Sequence, residues 1–194
     1  RVCVHEQAAA FSEVGAGIQI TPNAMRVLDV LGVSLDGIGV LSDAVVPVDG
    51  HSGKPVARFD LTGQSPRYRF IHRASLIDRL VAACRDCGVD LRCGSQVQTA
   101  TPKGQVRFQD ANGPQDVQSD LVVFADGIHS VGRSLIAGPS DPFFTGQVAW
   151  RAIVQGDMPA EAQIAMGRGK HMVVYPIGGN QINIVAVQER DDWA

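Results

Sequence analysis

The chain has 194 residues, 45% of them hydrophobic and 19% charged, with a net charge of -3 and a pI near 5.9. That balance suits a soluble globular protein of one large domain or parts of two, and it offers no basic patch for nucleic acid. No apolar run approaches the roughly 20 residues that a membrane-crossing helix needs, and no signal-peptide pattern is present.

Residues 1–6 (RVCVHE) alternate, with Val2 and Val4 on one side, and end in an acid. A carboxylate at a strand end either holds ribose hydroxyls, as in a dinucleotide fold, or simply faces solvent. The G-x-G-x-x-G loop that normally precedes such an acid by about 20 residues would lie before Arg1. The start at Arg1 and the stop at Ala194 read as an excerpt from a longer chain, incomplete at both ends. Residues 14–18 (VGAGI) form a small-residue loop where the backbone can approach a flat ligand, or a plain turn. Thr21 and Pro22 then open a helix as N-cap and first helical residue. Met25, Val27, Leu28 and Leu31 give that helix its apolar stripe, and Gly32 ends it.

From about 42 to 70 the pattern changes to strands, with a hairpin turn at 49–53. A second helix follows, with Ser75 and Asp78 at capping-box spacing and Leu76, Ile77, Leu80, Val81 and Cys84 on one face. Arg73, beside the start of this helix, either joins backbone N–H groups in holding an anion or is a surface arginine. Short strands are predicted at 89–91, 96–98 and 106–108, with a hairpin at Asn112 and Gly113.

Residues 120–133 (DLVVFADGIHSVGR) organise the rest. Leu121, Val122, Val123 and Phe124 predict a parallel strand buried on both faces, with Asp126 and Gly127 at its carboxyl end, where open α/β sheets bind ligands. After Pro139 and Pro142, strands at 146–154, 162–166, 171–175 and 181–187 predict a mostly antiparallel sheet. The division is therefore 1–139, with a strand-rich excursion at about 42–70, and 140–194 as the first part of a second domain. Cys3, Cys84, Cys87 and Cys93 read as reduced core thiols of a cytoplasmic protein, since the Cys84 and Cys87 spacing lacks the further ligands that zinc needs.

Five features stand in order: Glu6; Gly15, Ala16, Gly17 and Ile18 leading to Pro22, Asn23 and Ala24; His72 and Arg73 with Leu76; Asp126 and Gly127; and Trp150, Arg151 and Ala152. Together they resemble the single-component FAD-dependent aromatic hydroxylases, the group of para-hydroxybenzoate and salicylate hydroxylases, and the salicylate hydroxylase branch more closely. The resemblance implies an α/β, Rossmann-like FAD-binding domain with inserted antiparallel strands and the start of a mostly antiparallel substrate domain. It also implies an enzyme that uses NADH or NADPH and O₂ to hydroxylate a small aromatic substrate, with FAD supplying the redox chemistry. Glu6 would serve the adenosine ribose, Val97 the adenine through its backbone, and Gly17 and Gln19 the flavin, with Gln7 also among the cofactor-binding residues. Arg73 would contact the pyrophosphate. Asp126 with Gly127 would serve FAD and the nicotinamide cofactor, the carboxylate by orienting Arg73 rather than by meeting phosphate. Gln147 and Trp150 would face the substrate. Arg151 would pair with a substrate carboxylate or with a structural acid, and Tyr175 would be a core aromatic. The catalytic base stays unassigned, no metal is implied, and a homodimer is possible. A reductase or epoxidase of the same fold, a nicotinamide-dependent dehydrogenase and a truncated remnant are the competing readings.

Overall fold

Runs of alternating apolar and polar residues give strands along most of the described residues, and helices interrupt them. In the computed structural model, which describes residues 1–11, 16–139 and 141–192, the elements begin with β1 (Cys3–His5), β2 (Gly17–Ile20), α1 (Pro22–Val30), β3 (Val40–Leu41), β4 (Ala44–Asp49) and β5 (Phe59–Asp60). They continue with β6 (Arg69–His72), α2 (Arg73–Asp86), β7 (Asp90–Arg92), β8 (Gln96–Ala100), β9 (Gln105–Asp110) and β10 (Gly113–Gln118). Last come α3 (Val131–Ala137), β11 (Gln147–Gln155), β12 (Glu161–Gly167), β13 (Lys170–Gly178) and β14 (Gln181–Glu189). Two compact units result, Arg1–Ser12 with Cys84–Phe144, and Glu13–Ala83 with Thr145–Ala194. Val14 and Gly15 of the small-residue loop lie outside the described residues.

In the first unit β1 pairs in parallel with β7, so that Cys3, Val4 and His5 stand opposite Asp90, Leu91 and Arg92. Beside it runs the antiparallel meander β8–β9–β10. Gly113 adopts a φ of 100° opposite Asp110, which lets Asn112 and Gly113 close the β9–β10 hairpin as predicted. Phe108 is 1% exposed and is the unit's largest buried side chain.

One expectation is corrected here. Residues 121–124 join no ladder among the described residues, and Leu121 and Val123 are each 79% exposed. An apolar run is buried on both faces only where neighbouring strands and covering helices exist. Among the described residues β7 alone flanks β1, and Val2 and Val4 are exposed as well. Phe124 is the residue of this run that gains an anchor: a Cβ on Gly132 would fall 2.0 Å from its ring. The turn that follows leads into α3, which the sequence reading did not name. Ser130 is its N-cap, its Oγ accepting the Arg133 N–H at 3.0 Å.

The second unit holds a small antiparallel sheet, β2–β6–β3, and a six-stranded sheet in the order β11–β14–β13–β12–β4–β5. Strand β4 enters the larger sheet in parallel with β12, so the 42–70 excursion pairs with strands that follow residue 140. The alternation of buried Ala44, Val46 and Val48 fixes which face of β4 turns inward, but not which strand it meets. Helices α1 and α2 cover the small sheet through a core of Ile20, Leu28, Val33, Leu35 and Ile71, with Leu76 and Leu80 against it. The stripe of α1 is buried only in part, because Val27 is 58% and Leu31 62% exposed.

Helix starts also differ from expectation. Thr21 is the N-cap of α1 in extended conformation, but its hydroxyl donates to Asn23 rather than accepting a backbone N–H. Helix α2 begins at Arg73, two residues before the predicted cap at Ser75. His72 supplies the bond instead, its Nδ1 accepting the Ala74 N–H at 3.1 Å. Among the described residues no helix is long and apolar enough to cross a membrane, and no three His, Cys, Asp or Glu side chains stand where a metal ion could be held.

Candidate functional site

The candidate residues fall into both units. Glu6, Gln7, Val97, Asp126 and Gly127 belong to the first; Gly17, Gln19, Arg73, Gln147 and Trp150 belong to the second.

Glu6 leaves β1 with its backbone tied on both sides. Its N–H donates to the Arg92 carbonyl at 2.8 Å, and its own carbonyl accepts the Ser95 N–H at 2.9 Å. Its carboxylate Oε1 accepts the Ala8 N–H at 2.7 Å, which folds residues 6–8 into a tight turn. The other oxygen, Oε2, has no hydrogen-bond partner among the described residues. Gln7 is exposed at the crest of that turn. Val97 lies on β8 where the register with β9 shifts between Val97 and Thr99, a bulge that breaks the ladder beside it.

Asp126 is a capping residue before it is anything else. Its Oδ1 accepts from Ser130 Oγ at 2.5 Å, and its Oδ2 accepts the Val131 and Gly132 N–H groups at 2.8 and 3.4 Å. Burial pushes its carboxyl up, but the bonds from Ser130 and from the backbone outweigh this and hold it below the ordinary carboxylate range. Arg133 reaches back to donate to the Gly127 carbonyl at 2.9 Å, closing the turn. The Asp–Gly step is therefore shaped by the first turn of α3, through hydrogen bonds that stay within residues 126–133.

In the second unit two side chains pin β2. The Gly17 N–H donates to Asn183 Oδ1 at 2.6 Å, across 166 positions of sequence, and the Tyr68 hydroxyl donates to Gln19 Oε1 at 2.6 Å. Asn183 is fully buried at 0% exposure and stands opposite Tyr175 on the neighbouring strand. Tyr175 is 4% exposed and its ring centroid lies 5.1 Å from that of Phe70, the core aromatic its sequence context predicts. Burial pushes its hydroxyl up to about 12, helped by Tyr68 and opposed by Arg151 and Asn183, so it stays protonated at neutral pH. Arg73 opens α2 with an exposed side chain, and its N–H donates to the Ala16 carbonyl at 2.9 Å. That bond fixes the helix start beside the beginning of β2.

The six-stranded sheet separates the two substrate candidates. On β11, Gln147 and Trp150 are an odd number of residues apart in an unbroken register, so they point to opposite faces. Gln147 shares its face with Arg151, His171, Tyr175 and Asn183. Trp150 stands on the other face, beside Ala186, Met172 and Ala165. Tyr175, Ala162 and Ile153 carry the first face into the core with Phe70. Beyond them it opens into a hollow of about 320 Å³ lined by Gln147, Ile164, Met166, His171, Val187 and Glu189. Arg151 makes no ion pair among the described residues.

Asn183, Tyr68 and Ser95 were not among the candidates. Asn183 carries the one signal that sequence offers, a polar residue inside the otherwise apolar run INIVAV, which demands a buried partner.

No protein-family model matches the chain. It is 32% identical over 203 residues to 3-hydroxybenzoate 6-hydroxylase 1 of Aquipseudomonas alcaligenes, covering 95% of this chain and 51% of that protein. Among solved structures it is similar to the tetrameric form of 2-methyl-3-hydroxypyridine-5-carboxylic acid oxygenase, with 25% identity and a TM-score of 0.77 over 97% of this chain and 52% of that one. The fold also matches Klebsiella pneumoniae HpxO complexed with FAD and uric acid, with a TM-score of 0.78 at 20% identity over 100% of this chain and 57% of that one. Architecture and motif order thus define a flavoprotein monooxygenase class. Within it, the chain is similar in sequence to FAD-dependent aromatic hydroxylases. It spans about half the length of the curated relatives it matches.

Proposed function

We propose that the protein carrying this chain is an FAD-dependent monooxygenase that hydroxylates an aromatic ring bearing a hydroxyl or carboxylate group. NAD(P)H, a proton, O₂ and the aromatic substrate would yield NAD(P)⁺, water and the ring hydroxylated at one carbon. The observation that carries this reading is the pinning of Gly17 and Gln19 by Asn183 and Tyr68, because Asn183 lies on the same sheet face as Arg151 and Gln147. One unit thereby ties the strand expected to line the flavin to a face suited to the substrate. On this reading residues 1–139 chiefly serve the cofactor and 140–194 the substrate, with β4 lent to the substrate sheet.

The residues present fit FAD. Glu6 keeps one carboxylate oxygen for ribose hydroxyls, and Val97 offers backbone at a ladder break. When bound, FAD would supply the activation of O₂ and the transfer of one oxygen atom. The chain's own groups bind and orient. Arg73 would set its guanidinium against the pyrophosphate. Arg151 would take a substrate carboxylate as a planar fork, fixing the ring over the sheet. Gln147 has no titratable proton near neutrality and Tyr175 keeps its own, so both would orient rather than accept protons.

Two measurements test this. Phenols and hydroxybenzoates should stimulate NAD(P)H oxidation by the intact protein, and isotopically labelled O₂ should leave one labelled oxygen on the ring. Oxidation with no label in the organic product would replace hydroxylation with a reductase reading. Arg151→Ala should raise the KM for a carboxylate-bearing substrate about 10- to 100-fold, in line with about 1.5–3 kcal/mol for a charged hydrogen bond, and leave uncharged phenols unaffected. Trp150→Ala, on the opposite face, should leave both within about threefold; a large KM change there would move the substrate to the other side of the sheet.

A further inference from the structure

His5 ends β1 immediately before Glu6, and both of its ring nitrogens are engaged. Nδ1 lies 2.7 Å from Ser95 Oγ and Nε2 lies 3.3 Å from Cys3 Sγ. Ser95 is itself 3% exposed, and its N–H donates to the Glu6 carbonyl at 2.9 Å. A closed ring results. It runs from the imidazole to the Ser95 hydroxyl, along Ser95 to its N–H, across to the Glu6 carbonyl, and back through the chain to His5. Such a ring fixes the direction in which Glu6 leaves the strand. The imidazole also lies on Phe108, with centroids 4.3 Å apart at 45°, and Phe108 is the β9 residue opposite Val97. One side chain therefore bears on both expected ends of the adenosine site.

The network is self-consistent for a neutral imidazole. Burial pushes the Cys3 thiol up, with Arg92 opposing and Asp90 adding through its charge and a hydrogen bond. Each ring nitrogen thus keeps one neighbour, Sγ at Nε2 and the Ser95 hydroxyl at Nδ1. Burial, followed by Arg92, pushes His5 below its ordinary 6.5, while Asp90 and Asp110 oppose in part.

We propose that His5, through Ser95 and Phe108, is a positioning residue for the adenosine half of FAD: it holds Glu6 and Val97 where that half would bind. The inference rests on the FAD reading above. The test uses the intact protein with FAD, ADP and riboflavin as separate probes, each followed by equilibrium binding. His5→Phe keeps a ring on Phe108 but loses both hydrogen bonds, and Ser95→Ala leaves the imidazole without its buried partner. Both should weaken FAD and ADP by about tenfold, the worth of one or two hydrogen bonds, and leave riboflavin unchanged. His5→Asn, whose amide can reach Ser95, should recover most of that loss. ADP affinity of the wild type should also fall as pH drops below 6.5, and His5→Asn should lose the part of that fall due to the imidazole.

Unchanged FAD and ADP affinity in both variants would overturn the proposal. Equal weakening of riboflavin would also overturn it, by showing a general structural role. A wild-type protein that binds no FAD would instead remove the functional reading on which the proposal stands.

Discussion

Gly17→Ala should destabilise the intact protein by about 2–4 kcal/mol, lowering its melting temperature by roughly 4–16 °C, and should weaken FAD binding in parallel. The added Cβ would lie 2.7 Å from Asn183 Cγ, 2.8 Å from Asn183 Cβ and 2.9 Å from Tyr175 Cε2. None of these atoms belongs to a flexible chain end. Asn183 is fully buried and Tyr175 is held by Phe70, so relief must come from moving β2 away from the sheet. That movement stretches the 2.6 Å bond from the Gly17 N–H to Asn183, and a buried amide left unpaired costs about 1–3 kcal/mol on top of the overpacking. Gly63 is the control, because a Cβ there meets nothing within 4 Å. Gly63→Ala should change stability by no more than about 0.5 kcal/mol. A melting temperature for Gly17→Ala equal to that of the control would mean that β2 and the sheet are not clamped as described.

Asp126→Ala should behave in the opposite way, with a small effect on the fold and a large one on cofactor use. The carboxylate accepts from Ser130 Oγ and from the Val131 and Gly132 N–H groups, so its loss frees the first turn of α3 and the Asp–Gly step before it. Loss of a cap costs about 0.5–2 kcal/mol, but here it is local to an exposed segment, and the global melting temperature should move by no more than a few degrees. FAD affinity or the KM for NAD(P)H should worsen by about tenfold. The pH dependence has a definite sign. The folded carboxyl is held below the ordinary 3.8, so its contribution is complete above that pH and is lost only as pH falls further, through the folded value. Asp126→Asn should therefore show a shallower acid limb in cofactor retention than the wild type. Unchanged cofactor kinetics in Asp126→Ala would leave the step a purely structural cap.

What the sequence disclosed was mostly local. The β13–β14 hairpin follows from Gly178, Gly179 and Asn180, which take φ values of 87°, 61° and 56°. The acid at the end of β1, the Thr21 and Pro22 helix start and the alternation of β11 to β14 are equally short-range features. Failures came where the answer depended on what lay alongside. Leu121 to Phe124 have the composition of a buried parallel strand, but composition does not supply neighbouring strands. Ala44, Val46 and Val48 state that one face is buried and are silent on a parallel pairing with β12, more than 110 positions away. The capping box at Ser75 was a correct spacing overtaken by His72, whose ring nitrogen reaches the Ala74 N–H first.

The candidate site divides the same way. Glu6, Gly17, Arg73 and Asp126 were marked by motif order, whereas the residues that hold them come from distant sequence: Asn183 for Gly17, Ser95 for Glu6, Ala16 for the backbone of Arg73. The sheet pleat was legible in principle and would have separated Gln147 from Trp150, since residues three apart on a strand face opposite ways. Asn183 was legible as an anomaly, though its partner was not.

The central claim is that the protein holds FAD. Its most direct test is the visible absorption spectrum of the purified intact protein, before and after incubation with added FAD. Bound flavin bands in the near-ultraviolet and blue, retained through gel filtration and weakened in Gly17→Ala, are the predicted result. A colourless protein that takes up no added FAD would contradict it.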